Sequence, residues 1–212
     1  MVINRYIAVS IVWWLVLLPG ITVAAECFES SFSVNRGLPL TADVEIKNIT
    51  SGEHQKLNRF IKSLAGFWNG TATEIHCKGD SSAPVEERHE YKVHVHATTK
   101  YIPVEDALSL KFRATWDGKT RNVTKLENFR FFLTSKNLRL DRNIPAGDVE
   151  VIKIEENFLV LAKKTNVRNR IGGVVAQEIV RSYLLTHNTL NIEYLAYSNG
   201  KLVLKSLWEL RR

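Results

Sequence analysis

Cysteine is nearly absent: the chain has two in 212 residues, Cys27 and Cys77. It has no Cys-x-x-Cys, no glycine-rich phosphate loop and no Ser-His-Asp spacing. The usual sequence signatures of thiol redox, nucleotide and acyl-transfer chemistry are therefore missing. Neither cysteine has His or Asp neighbours placed to activate it as a nucleophile. Basic residues outnumber acidic ones, giving a formal charge of +7, but they are never gathered into a run. Weak attraction to anionic surfaces follows from that balance. Nucleic-acid binding does not.

A long membrane span is missing too. The uncharged run Tyr6 to Leu18 ends at Pro19-Gly20, too short for a crossing that needs about 20 apolar residues. Its flanks give it another meaning. Arg5 is a positive n-region, and Val23-Ala24-Ala25 offers small residues for cleavage before Glu26. Residues 1–25 thus predict a secretory signal, a secreted or periplasmic mature protein, and no stable membrane span after cleavage. Glu26 precedes Cys27, which argues against a lipoprotein. In an oxidising compartment the two cysteines predict a Cys27–Cys77 disulfide. Closing a loop of about 50 residues stabilises a fold by roughly 4 kcal/mol in loop-closure entropy.

The mature chain is long enough for one domain with a sizeable core. Residues 26–52 form an N-terminal arm, in which Val44 and Ile46 alternate with charged residues as one short strand. A barrel domain over 53–212 follows, opening with a helix at 53–65. Leu57, Phe60, Ile61 and Leu64 supply its apolar stripe, with Ser51 as N-cap and Gly66 as terminator. Strands then dominate: 71–77, 88–97 and 107–116, shorter stretches at 120–126, 129–134, 138–142, 149–155 and 157–164, and three last strands at 174–186, 189–197 and 201–211. Asp117-Gly118 and Asn199-Gly200 are hairpin signals. The fold class is all-β, an up-and-down barrel of about ten antiparallel strands with a short N-terminal helix.

Leu64-x-Gly66-x-Trp68-x-Gly70, where the first strand begins, resembles the opening of calycin-type barrels (lipocalins, fatty-acid-binding proteins, nitrobindin-like domains). Val180 to Leu184, Leu190 to Tyr194, and Gly200 onward to Leu210-Arg211-Arg212 resemble the closing meander of nitrobindin-like domains. The resemblance implies a ligand held in the lumen and a tryptophan, Trp68, closing one end. Nitrobindin-like proteins also hold haem through a histidine in the last strand. Lys205 and Ser206 stand in that neighbourhood here, so no cofactor is expected.

Pairing the first two strands as a hairpin puts Trp68, Gly70, Ala72, Glu74 and His76 on one face with His89, Tyr91, Val93 and Val95. This face is mainly apolar and should be the lumen, with His76 and His89 nearly opposite each other at its mouth. His94 and His96 then point outward; His-x-His on a strand suits a metal, but no third ligand is evident. Leu110, Phe112 and Trp116 extend the lumen along the third strand. Periodicity cannot choose between the faces of the C-terminal meander. One of them groups Glu178, Ser182, Glu193, Ser206 and Trp208 with Leu202, Leu204 and Leu210. Inward, its carboxylates could serve as acid or base; outward, they are solvated charges. Asn48, Asn69 and Asn122 each head an Asn-x-Thr sequon, and Asn69, placed inside the barrel entrance, should stay unmodified.

These residues predict a binding protein for a small, mainly apolar ligand, contacted by Trp68, His76, His89, Tyr91, Val93, Val95, Leu110, Phe112 and Trp116. Two other classes remain. An enzyme of lyase or isomerase type would use inward Glu74, His76 or His89. A protein-interaction module would have a lumen filled by side chains and an exposed apolar patch.

Overall fold

A computed structural model describes residues 48–80, 83–118, 124–141, 147–168 and 173–212. Residues 1–47, with the expected signal, most of the expected N-terminal arm and Cys27, and Asn122 lie outside the described residues. Helix α1 (Ser51–Ser63) precedes ten strands. They are β1 (Gly66–Asp80), β2 (Ala83–Ile102), β3 (Ala107–Gly118), β4 (Thr124–Leu133), β5 (Leu138–Asp141), β6 (Gly147–Ile154), β7 (Phe158–Arg168), β8 (Val174–Leu185), β9 (Thr189–Ser198) and β10 (Lys201–Arg211). Each strand is antiparallel to the next, and β1 pairs with β10. The barrel is closed, so every strand has a neighbour on both sides and none stands at the edge of an open sheet.

Thr50 caps α1, in place of the expected Ser51. Its hydroxyl accepts from Glu53 N, and the Glu53 carboxylate accepts from Thr50 N in return. This capping box satisfies two orphan backbone groups, which a serine one residue later could not do in the same register. The helix ends at Ser63, and Gly66 follows with φ +136°, a conformation that a side chain would strain. Leu57, Phe60, Ile61 and Leu64 are at most 1% exposed. They fill one end of the barrel, against β3, β4 and β6.

Several boundaries differ from the sequence reading. Within the stretches expected at 120–126 and 129–134, residues 120–123 lie outside the described residues, and the rest belong to one strand, β4, in continuous register with β3 from Asp117↔Thr124 to Leu108↔Leu133. Asp117-Gly118 accordingly finishes β3, pairing with β2 at Lys92 and Tyr91. Asn199-Gly200 is a turn as expected, with φ 48° and 77°, the type I′ geometry that matches strand twist. β1 and β2 run further than their apolar cores suggested, still paired at Gly79↔Pro84.

Gly70 answers a packing demand. A Cβ there would sit 1.9 Å from the Glu209 carbonyl oxygen, so β1 and β10 can close the barrel only over a bare backbone.

Candidate functional site

Alternation and register define the lumen together. β1 directs Trp68, Ala72, Glu74 and His76 inward; β2 presents Val95, Val93, Tyr91 and His89 beside them. On the other flank β10 contributes Leu210, Trp208, Ser206 and Leu204. Leu110, Phe112 and Trp116 share this face through β3. Every residue expected to line the lumen is therefore on the inward face.

The lumen is not uniform along its axis. At the α1 end Trp68 is fully buried, its indole N–H donating to the Leu64 carbonyl at 2.9 Å. The Arg212 guanidinium lies 4.3 Å from the Trp68 ring and donates to the Ser63 carbonyl at 3.2 Å. Helix, first strand and C-terminus thus meet at one indole. The middle is aromatic: Trp116 meets Trp208 edge-on at 4.6 Å and Tyr91 at 5.3 Å, while Phe131 meets Phe112 at 6.3 Å and Tyr183 at 5.9 Å. The Trp208 indole donates to Ser206 Oγ at 2.9 Å.

Toward the β1–β2 turn the inward side chains become polar and less covered. Glu74 lies opposite His89 and Ser206. His76 and His89 meet edge-on at 5.6 Å, diagonal neighbours two pairs apart in the ladder. Along β2, Val95 and Val93 are 2% and 0% exposed, Tyr91 is half-buried, and the side chains of His89 and Glu87 reach 31% and 50%. Lys78 Nζ donates to Glu87 at 3.0 Å, and His89 Nε2 lies 3.2 Å from its other oxygen. The Lys78 ammonium, with His89 second, holds the Glu87 carboxyl below the usual range.

Arg181 was missed by the sequence reading. It is 6% exposed, pairs with Leu161 and Tyr194 on the inward face, and stacks 4.9 Å from the Tyr194 ring. Only the alternation with its neighbour Tyr183 pointed to it, and β8 is apolar on both faces.

The meander face that grouped carboxylates with tryptophan is divided by the structure. Ser206, Trp208, Leu204 and Leu210 point inward. Glu178, Ser182 and Glu193 point outward with Val160, Val180 and Leu195. Being outward does not make them solvated: Glu178, Ser182 and Glu193 are 6%, 1% and 1% exposed. Glu193 lies 3.9 Å from Lys205, itself 3% exposed, an ion pair on the outer wall. Cys77 also faces outward, half-buried, two residues from buried Ile75, and no cysteine among the described residues is free.

His94 and His96 are exposed on the outer wall, as the alternation requires. Each is engaged locally: His94 with the Asn69 amide at 2.7 Å, His96 stacked on Phe67 at 4.2 Å. Among the described residues no three His, Cys, Asp or Glu are grouped to hold a metal ion. Asn69 itself is outward and exposed, which corrects its expected place inside the entrance.

No family model matches this sequence, and no curated protein is detectably similar to it. The closed ten-strand barrel is compatible with a calycin-like fold.

Proposed function

We propose that the protein is a calycin-type carrier, secreted or periplasmic, that takes a small and mainly apolar ligand into the barrel from the end opposite α1. The gradient along the inward face of β2 carries this reading. It runs from buried Val95 and Val93, through half-buried Tyr91, to His89 and Glu87 at the rim. A guest entering there meets the edge of the Trp116–Trp208 pair, which offers apolar area. His76, His89, Glu74 and Ser206 surround it with hydrogen-bonding groups that orient a ligand. The α1 end offers no such path, because Trp68, Arg212 and the helix occupy it.

Tryptophan emission tests this directly. Only Trp68, Trp116 and Trp208 follow the leader. A hydrophobic probe or a fatty acid should change emission saturably, and Trp116→Phe should remove most of the response. Burying an apolar guest contributes about 25 cal/mol per Å², and the entropy of association offsets much of it, so micromolar affinity is expected. A folded protein that binds no apolar probe would favour an interaction module. The contacts of the Phe131 ring with Phe112 and Tyr183 in the middle of the lumen are the observation on that side.

The mature protein should also carry a Cys27–Cys77 bridge. Cys77 sits on the outer wall of β1 beside the patch formed by Ile75 and Lys205, so the bridge would fasten the N-terminal segment against the outside of the barrel. Thiol titration of the denatured, unreduced protein should find no free thiol. Two free thiols per chain would rule the bridge out.

A further inference from the structure

We propose that Asn69 carries an N-linked glycan whose first N-acetylglucosamine lies on the Phe67 ring. Phe67, Asn69 and Thr71 are alternate residues of β1 and share its outward face, and all three are exposed. Phe67 is 67% exposed, near the start of β1, where β2 pairs with it and β10 pairing begins only at Asn69. Trp68 and Gly70, the intervening residues, turn inward and leave the sequon Asn69-Gly70-Thr71 unobstructed.

The local geometry suits attachment. One face of the Phe67 ring is covered by His96, stacked at 4.2 Å and 8°. His96 props the ring flat along the wall, and its other face remains available. His94 Nδ1 lies 2.7 Å from Asn69 Oδ1. A carbonyl oxygen only accepts, so the imidazole donates, and Nδ2 is turned away from β2. That nitrogen is the one that bears a sugar, and the bond to His94 survives attachment. A pyranose presents a face of C–H groups, which packs on an aromatic face two residues back along a strand. The glycan would cover the ring that the barrel leaves exposed.

The co-reactant is an oligosaccharide linked to a polyprenyl pyrophosphate, met during translocation. The Asn69 Nδ2–C1 bond forms as the C1–O bond to the pyrophosphate breaks. The lipid pyrophosphate leaves with that electron pair, and Nδ2 gives up one proton to the transferase. This happens on the unfolded chain, so the outward position of Asn69 matters afterwards: the folded wall accommodates the bulky group without displacing the core. The proposal rests on the secretory route read from residues 1–25, and not on what the lumen binds.

The test is to express the full chain, with its own leader, in a eukaryotic cell line and to map glycopeptides of the secreted protein. Asn69 should be occupied, and Asn69→Gln should lose that glycan. Phe67→Ala should lower the melting temperature of the glycosylated protein while leaving the Asn69→Gln protein nearly unaffected. A secreted, folded protein with Asn69 bare overturns the proposal. Equal effects of Phe67→Ala in both backgrounds overturn the stacking of sugar on ring. A chain that keeps residues 1–25 and stays in the cytosol overturns the secretory reading, and this proposal with it.

Discussion

Trp68→Ala should destabilise the barrel by about 3–5 kcal/mol, the range for deleting a buried large aromatic side chain. The indole is fully buried among α1 and the inward residues of the first strand. Its removal takes away more than volume. The Leu64 carbonyl loses its donor at the helix end, and Arg212 loses the ring over which it sits. A cation over a tryptophan contributes roughly 0.5–2 kcal/mol, so Arg212→Ala should be a smaller relative of the same lesion. Trp68→Phe keeps most of the packing, loses the N–H, and should lower the unfolding temperature while retaining ligand response. Urea unfolding followed by circular dichroism reads all three variants. A Trp68→Ala loss below about 1 kcal/mol would mean that the α1 end is held by other contacts.

Gly70→Ala should be comparably damaging for a change of one methyl group. The added Cβ would lie 1.9 Å from Glu209 O, 2.9 Å from Glu209 C and 3.0 Å from Leu210 Cα. All three are backbone atoms, so no side-chain rotation relieves the clash, and the β1–β10 ladder must move. That ladder closes the barrel. Overpacking typically costs about 1–3 kcal/mol where side chains can yield, and the upper end or beyond is expected here. The unfolding midpoint should fall, and amides at Thr71 and Leu210 should exchange faster. Native stability in Gly70→Ala would show that β1 and β10 do not approach this closely in solution. Because alanine preserves the Asn-x-Thr pattern, this variant also separates barrel closure from glycosylation.

The sequence by itself determined the fold class. Strands with period two, turn residues such as Asn199-Gly200, and a helix stripe at Leu57, Phe60, Ile61 and Leu64 are local signals, written in neighbouring residues. Where one face was apolar and the other polar, as in β2 and β3, alternation also chose the lumen, and His89, Tyr91, Val93, Val95, Leu110, Phe112 and Trp116 all point there. Hairpin reasoning placed Trp68 and His76 for the same cause.

Tertiary structure alone decided the rest. In β8, β9 and β10 both faces are apolar, because the outer wall there is covered as well as the inner one. Periodicity then carries no information about direction. That is why Arg181 turned inward unforeseen, and why Glu193, whose face was left open and which was expected to be solvated if outward, is outward yet buried against Lys205. Asn69 was misplaced for another reason: the alternation that turns Trp68 and Gly70 inward already turns the residue between them outward, and the β1–β2 register, Asn69 opposite His94, agrees with it. Whether a residue faces guest or solvent is set by its partners across the ladder, and those partners are remote in sequence.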